Sequence, residues 1–182
     1  MPRWAPPELV SAAIAGDPTA VERLVAAVWP GCFRLAATVT GDRSLAQDAA
    51  QESCVLIHRR IGALRDAGAF DAWLYRVVMR ESSRARRRHR FAPQPYRDAL
   101  FPDDTIGMDV WRALAELPPD QRDVVVLFYF DDLKSDEIAA VLRVAHPTVR
   151  TRLARARERL RGLLDDYSND PSPTSEEMHH AV

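Results

Sequence analysis

Apolar residues recur at helical spacing along almost the whole chain. Phe70, Trp73, Leu74, Val77 and Val78 fall at i, i+3, i+4, i+7 and i+8, one stripe of an amphipathic helix that continues into an Arg cluster. Upstream, Asp17-Pro18 reads as an N-cap followed by proline at the first helical position, and Val21, Leu24, Val25 and Val28 follow at helical spacing. Trp29-Pro30 predicts a kink or break before a second stretch with Phe33, Ala36, Ala37 and Val39, and Gly41 is its stop. Ser44-Leu45-Ala46-Gln47 fits a capping box, so a third helix is expected from Leu45 to about Ile61. Gly62 to Ala69 reads as a loop.

The pattern changes at Phe91. Pro93, Pro95, Pro102 and Gly107 predict an extended acidic linker over 91–107, because proline fixes φ and removes a donor. Helical spacing then resumes. Asp109 to Leu117 predicts a short helix, and Pro118-Pro119-Asp120 opens another with Val124, Leu127 and Phe128 inward. Ser135 is the expected cap of a helix with Ile138, Ala139 and Leu142 on its apolar face. Pro147 opens the last helix, with Val149, Leu153, Ala156, Leu160 and Leu163 as its stripe. From Asp165 on, Pro, Ser and acids predict a disordered acidic tail over 165–182. The expected fold class is all-α: two small helical domains, 8–90 and 108–164, joined by the extended linker.

A chain of 182 residues fits two small domains, and its composition is that of an ordinary globular protein. No apolar run is long enough to span a bilayer, and Met1 to Glu8 lacks the apolar core of a signal peptide, so a cytoplasmic protein without membrane insertion is expected. Net charge is only −1, yet the charge is sorted into blocks. Six Arg and one Glu lie between Arg80 and Arg90, seven Arg and one Glu between Arg143 and Arg161, and eleven acids lie from Asp98 to Glu137. Such sorting points to different partners for different segments.

Ser135 to Arg161 describes a helix-turn-helix: a short acid-capped helix, a tight turn, then a long Arg-rich helix. With Val149 and Leu153 buried, helical geometry turns Thr148, Arg150, Thr151 and Arg155 to other faces. A planar guanidinium can grip guanine O6 and N7 together or clamp a phosphate. The alternative is a solvated Arg face, but seven Arg against one Glu leave repulsion uncompensated without a polyanion. The Arg76 to Arg90 run beside Phe70 and Trp73 can track a phosphate backbone, while the two aromatics read mainly as core. Asp48, Gln51 and Glu52 share one helix face, which by spacing alone reads as a solvated acidic surface.

Three stretches, Leu35 to Asp42, Asp48-Ala49-Ala50-Gln51-Glu52 and Trp73-Leu74-Tyr75-Arg76-Val77, resemble region two of a sigma factor of bacterial RNA polymerase. Leu117 to Arg122, Glu137 to Leu142 and Thr148 to Arg157 resemble region four. With only these two regions and a short linker, the chain is similar to the extracytoplasmic-function group. The resemblance implies that Asp48, Gln51 and Glu52 dock on the clamp helices of the polymerase largest subunit, with region four on the flap. It implies that the loop with Gly62, Ala63, Leu64 and Arg65 holds a flipped base of the melted −10 element. Arg76, Arg80, Arg84, Arg87 and Arg88 would lie along the adjoining DNA. Pro147, Thr148, Arg150, Thr151, Ala154 and Arg155 would read the duplex −35 element. An anti-sigma factor is a common further partner of the group. The chain departs from the family pattern at Leu64, where Phe is common, at Arg80 and Arg84, where Asn and Asp are usual, and at Arg143 and Pro147, where Gly is usual.

No Gly-rich phosphate loop, nucleophile elbow or metal-ligand spacing is present, so neither an enzyme nor a cofactor is expected. Cys32 and Cys54 read as buried small hydrophobes, with a redox pair as the alternative. The expected function is promoter-specific transcription initiation with core polymerase. A stand-alone helix-turn-helix regulator, or an adaptor binding an acidic protein, are the rival readings.

Overall fold

A computed structural model describes residues 3–88 and 108–169, and these are helical throughout apart from their connections. Four helices build the first module: α1 (Pro7–Ile14), α2 (Pro18–Thr40), α3 (Arg43–Arg60) and α4 (Phe70–Arg88), with two 3₁₀ turns, Ile61–Ala63 and Ala67–Ala69, in the α3–α4 connection. Four more build the second: α5 (Met108–Glu116), α6 (Pro119–Val125), α7 (Ser135–Leu142) and α8 (His146–Asn169), with a π-helical turn, Val126–Phe130, extending α6. The expected linker 91–107 and the tail beyond Asn169 lie outside the described residues.

In the first module α2 and α3 pack along each other and α4 crosses both. Leu24, Leu35, Ile57, Phe70, Leu74 and Val78 are fully buried between them. Ala36, Ala37, Ala46, Ala49 and Ala50 let the α2 and α3 backbones approach closely. In the second module α8 packs on α5, α6 and α7 around Leu114, Val124, Leu127, Ile138, Val149 and Leu153. Of the expected α8 stripe, Val149, Leu153 and Ala156 are buried, while Leu160 and Leu163 are half-buried.

Several local expectations are corrected. The α3 cap is Asp42, not Ser44: its carboxylate accepts the Leu45 N–H at 2.8 Å, which starts the helix earlier. Pro30 does not break α2, which runs unbroken through it. A mid-helix proline costs about 3 kcal/mol, and the buried Val28, Cys32 and Leu35 on either side offset that cost. Ser135 is the first residue of α7 rather than its cap. Lys134 occupies the cap, and its N–H donates to the Glu137 carboxylate at 2.8 Å. Phe128 packs against the core as expected but is only half-buried, and α8 continues past Asp165 to Asn169.

The two modules touch. Helix α4 packs on α7, and α2 meets the π-helical turn. The Arg86 guanidinium donates to the Val39 carbonyl at 3.2 Å and to the Asp123 carboxylate at 3.0 Å. Nearby, the Tyr75 hydroxyl donates to Asp131 at 3.4 Å.

Candidate nucleic-acid interface

The exposed face of α8 is set by its buried stripe. Val149, Leu153 and Ala156 face α6 and α7, so Pro147, Arg150, Thr151, Ala154 and Arg155 are exposed and Thr148 is half-buried. Arg152 pairs with Asp120 at 3.1 Å and braces α8 against α6. Arg150 and Arg155 have no ion-pair partner among the described residues. The Thr151 hydroxyl donates to the Pro147 carbonyl at 3.0 Å, so here it offers an acceptor outward. Downstream, Arg157 donates to the Tyr129 hydroxyl at 2.8 Å and lies over the Phe128 and Tyr129 rings.

The second basic surface is on α4. Arg80, Arg84, Arg87 and Arg88 are exposed and Arg76 is half-buried. Glu81, 5% exposed, lies under this row and accepts from Arg80 at 2.9 Å, with Arg84 3.8 Å away. That buried carboxylate fixes where two of the guanidinium groups sit. Gly62, Ala63 and Arg65 are exposed in the α3–α4 connection, whereas Leu64 is half-buried and packs on the core. Asp66 caps the second 3₁₀ turn by accepting the Gly68 N–H at 2.9 Å. Leu64 therefore serves the loop's anchorage here, and the other three residues present its open side.

Asp48, Gln51 and Glu52 form an exposed strip on α3, and neither acid pairs with a described cation. The strip lies on the side of α3 away from Ala49, Ala50 and Ser53, which are buried.

Arg76, Arg80 and Arg87 also line a cleft of about 860 Å³ between the modules, whose opposite wall includes Asp120, Arg143 and Arg152. Sequence reasoning missed this juxtaposition and missed Arg86. A signal for Arg86 was present: it falls four residues after buried Ser82 and eight after buried Val78, on the inward stripe of α4. Burial pushes the Asp123 carboxyl upward, while the nearby Arg86, Arg122 and Arg152 pull it down; burial prevails. Arg122 is turned inward as well, donating to the carbonyls of Ala115 and Leu117. Among the described residues no cluster of three metal-ligating side chains occurs, and no helix is long and apolar enough to cross a membrane.

Two helical modules in this order, one presenting a helix-turn-helix and the other a basic helix beside an acidic strip, define the sigma-70 class. The family model for Sigma-70 region 2 matches residues 24–92, and that for Sigma-70 region 4 matches residues 107–160. The chain belongs to this family, and within it to the extracytoplasmic-function sigma factors. It is 34% identical to the extracytoplasmic-function sigma factor SigM of Mycobacterium tuberculosis, over 86% of this chain and 83% of SigM. It is 31% identical to SigE of Mycolicibacterium smegmatis, over 79% of this chain but 61% of SigE. Among solved structures, CnrH in complex with the cytosolic domain of CnrY superimposes with a TM-score of 0.69 at 25% identity, covering 88% of this chain and 97% of CnrH. The chain is thus an alternative sigma factor that joins core RNA polymerase and directs transcription from promoter DNA. The region 2 module favours this over a stand-alone helix-turn-helix regulator, which has no use for one.

Proposed function

We propose the following division of labour. The α8 face with Pro147, Thr148, Arg150, Thr151, Ala154 and Arg155 reads the duplex −35 element. The Gly62 to Arg65 loop receives an unpaired base of the −10 element, and Arg76, Arg80, Arg84, Arg87 and Arg88 hold the neighbouring phosphates. Asp48, Gln51 and Glu52 dock on a cationic surface of the polymerase largest subunit, and the second module contacts the flap. The observation that carries this reading is that Arg150 and Arg155, which have no ion-pair partner among the described residues, stand on the exposed side of α8, away from its buried stripe.

The protein contributes binding energy and geometry. Phosphate contacts anchor it, base contacts choose the site, and capture of an unpaired base favours the melted state. Bond formation belongs to the polymerase, so the protein acts in the cytoplasm beside it. Reading two separated elements at once requires the second module to leave α4, with 91–107 acting as the tether. A protein inhibitor of the anti-sigma kind is the further partner we propose.

Run-off transcription with purified core polymerase tests the assignment. Full-length protein is expected to support initiation from promoters carrying both elements, and Asp48→Ala/Glu52→Ala to lose core binding without losing its fold. Tight retention of duplex DNA by the protein alone, with no initiation, would overturn it.

A further inference from the structure

The cleft of about 860 Å³ between the modules carries charge that the fold does not cancel. Eight Arg and two Asp line it, with no Lys, His or Glu among them. Both acids are already engaged, Asp123 with Arg86 at 3.0 Å and Asp120 with Arg152 at 3.1 Å. Arg80 is tied to Glu81 at 2.9 Å, and Arg122 is turned to the Ala115 and Leu117 carbonyls. Four guanidinium groups remain without an ion-pair partner among the described residues: Arg60, Arg76 and Arg87 on the first module and Arg143 on the second.

Cations gathered on two walls of one cleft repel each other, and most strongly where low-dielectric walls displace water. The packed arrangement of the modules therefore favours uptake of an anion. A guanidinium fork grips two phosphate oxygens at once, so a phosphate-bearing anion is the best match. Arg143 adds an independent observation. Its backbone is left-handed, at φ 55, where glycine would sit without strain, yet the position keeps a side chain that reaches the cleft.

Size and apolar lining narrow the ligand further. The volume lies within the range of small-molecule sites, roughly 300–1,000 Å³. It is too small for a duplex and much larger than one phosphate. Trp73 reaches the cleft and is braced by Phe70, with ring centroids 6.0 Å apart, while Val77, Leu142 and Val144 add apolar wall. An indole offers a face on which a base can stack. Several phosphates and one base together describe a nucleoside polyphosphate.

We propose that the cleft binds a nucleoside polyphosphate, whose phosphates bridge the arginines of both walls and hold the modules together. Binding stabilises the packed arrangement by mass action. Arg76 and Arg87 are shared with the −10 phosphates, so bound nucleotide and the promoter strand exclude each other. That competition rests on the assignment of α4 above; the cleft site does not.

ATP is the probe, titrated by calorimetry into the full-length protein in magnesium-containing buffer at physiological ionic strength, about 0.15 M. One ATP is expected to bind per chain, with a melting temperature that rises with ATP concentration. Tripolyphosphate should bind more weakly, and adenosine not at all. Arg143→Gly should lose roughly 10-fold in ATP affinity while supporting at least as much run-off transcription as the parent. Arg161→Gln makes the same charge change at an exposed α8 residue outside the cleft, and should bind ATP like the parent. No saturable binding, or equal weakening by Arg143→Gly and Arg161→Gln, would overturn the site. Tripolyphosphate binding as tightly as ATP would overturn the nucleoside part. A single-stranded −10 oligonucleotide should displace ATP, and ATP that stays bound beside it would overturn the competition. The α4 assignment is judged separately, by promoter binding of Arg84→Ala/Arg88→Ala holoenzyme, because neither residue lines the cleft.

Discussion

Arg86 and Asp123 form an ion pair at 3.0 Å that joins the two helical modules, with both side chains 15% exposed. The same guanidinium holds the Val39 carbonyl, so one side chain ties α4, α2 and α6 together. Removing one partner of such a pair strands the other charge. Asp123→Ala is expected to cost about 1–3 kcal/mol, seen as a lower melting temperature, and to enlarge the radius of gyration in small-angle scattering. An unchanged radius and melting point would show that the contact does not hold the modules together.

A second contact makes module packing pH-dependent. Asp131 accepts from Tyr75 of the first module, and burial raises its carboxyl to about 6, against the opposing pull of Arg34 and the Tyr75 hydroxyl and with a further push from Asp132. A raised carboxyl binds more protons in the packed state than in the unfolded one. Its favourable contribution is complete below the ordinary carboxyl range and is lost as pH rises through about 6. Asp123 is shifted in the same direction. Stability is therefore expected to fall between pH 4 and 7 by on the order of 2 kcal/mol from Asp131. Asp131→Asn, which keeps the shape without the charge, should flatten that slope in urea titrations. A slope identical to the parent's would assign the pH dependence elsewhere.

Trp4 supplies a sharper packing test. Its backbone N–H donates to Asp71 at 3.0 Å, and its ring meets Tyr75 edge-on at 4.8 Å. A Cβ at Gly31 would stand 2.7 Å from that ring. Gly31→Ala thus gains about 1 kcal/mol of helix propensity but displaces a packed indole at about 1–3 kcal/mol. The net expectation is destabilisation in the parent and stabilisation in a Trp4→Ala background, a reversal of sign that thermal unfolding of the four proteins can read. Additive effects would refute the contact.

The helical stripes were legible because burial of one face repeats at a local period: Phe70, Leu74, Val77 and Val78 lie where their spacing put them. The exposure of Arg150, Thr151 and Arg155 on α8 followed from the same geometry. Caps were less legible because neighbouring residues compete. Asp42 and Ser44 both carry a side-chain acceptor, and the longer reach of Asp42 to the Leu45 N–H decided between them. The Arg86–Asp123 pair and the Tyr75–Asp131 bond were not legible at all. Each joins positions far apart in the chain, and no local period encodes such a pairing.

Arg143 ends α7 in the left-handed region, at φ 55 and ψ 46, where a side chain is strained. That conformation costs an L-residue roughly 1 kcal/mol, and glycine adopts it freely. Arg143→Gly should raise stability by about 0.5–1 kcal/mol in chemical denaturation. No gain, or a loss, would mean that the Arg143 side chain contributes more to the cleft wall than its backbone forfeits.

Helix α8, with its proposed reading face, separates binding from folding most cleanly. Arg155 is exposed and has no ion-pair partner among the described residues, whereas Arg157 is held by Tyr129 and Phe128. Loss of an exposed surface side chain usually changes stability by less than about 0.5 kcal/mol. A lost base or phosphate contact costs about 1–3 kcal/mol of binding. Arg155→Ala should therefore melt like the parent yet lose roughly 5- to 150-fold in affinity for a duplex carrying the −35 element, measured with the holoenzyme. Arg157→Ala should do the converse, loosening the packing of α8 on the π-helical turn with a smaller effect on promoter choice. If Arg155→Ala left affinity intact while Arg157→Ala abolished it, the reading face of α8 would have to be rotated by about 200°, onto the side that now rests on Phe128 and Tyr129.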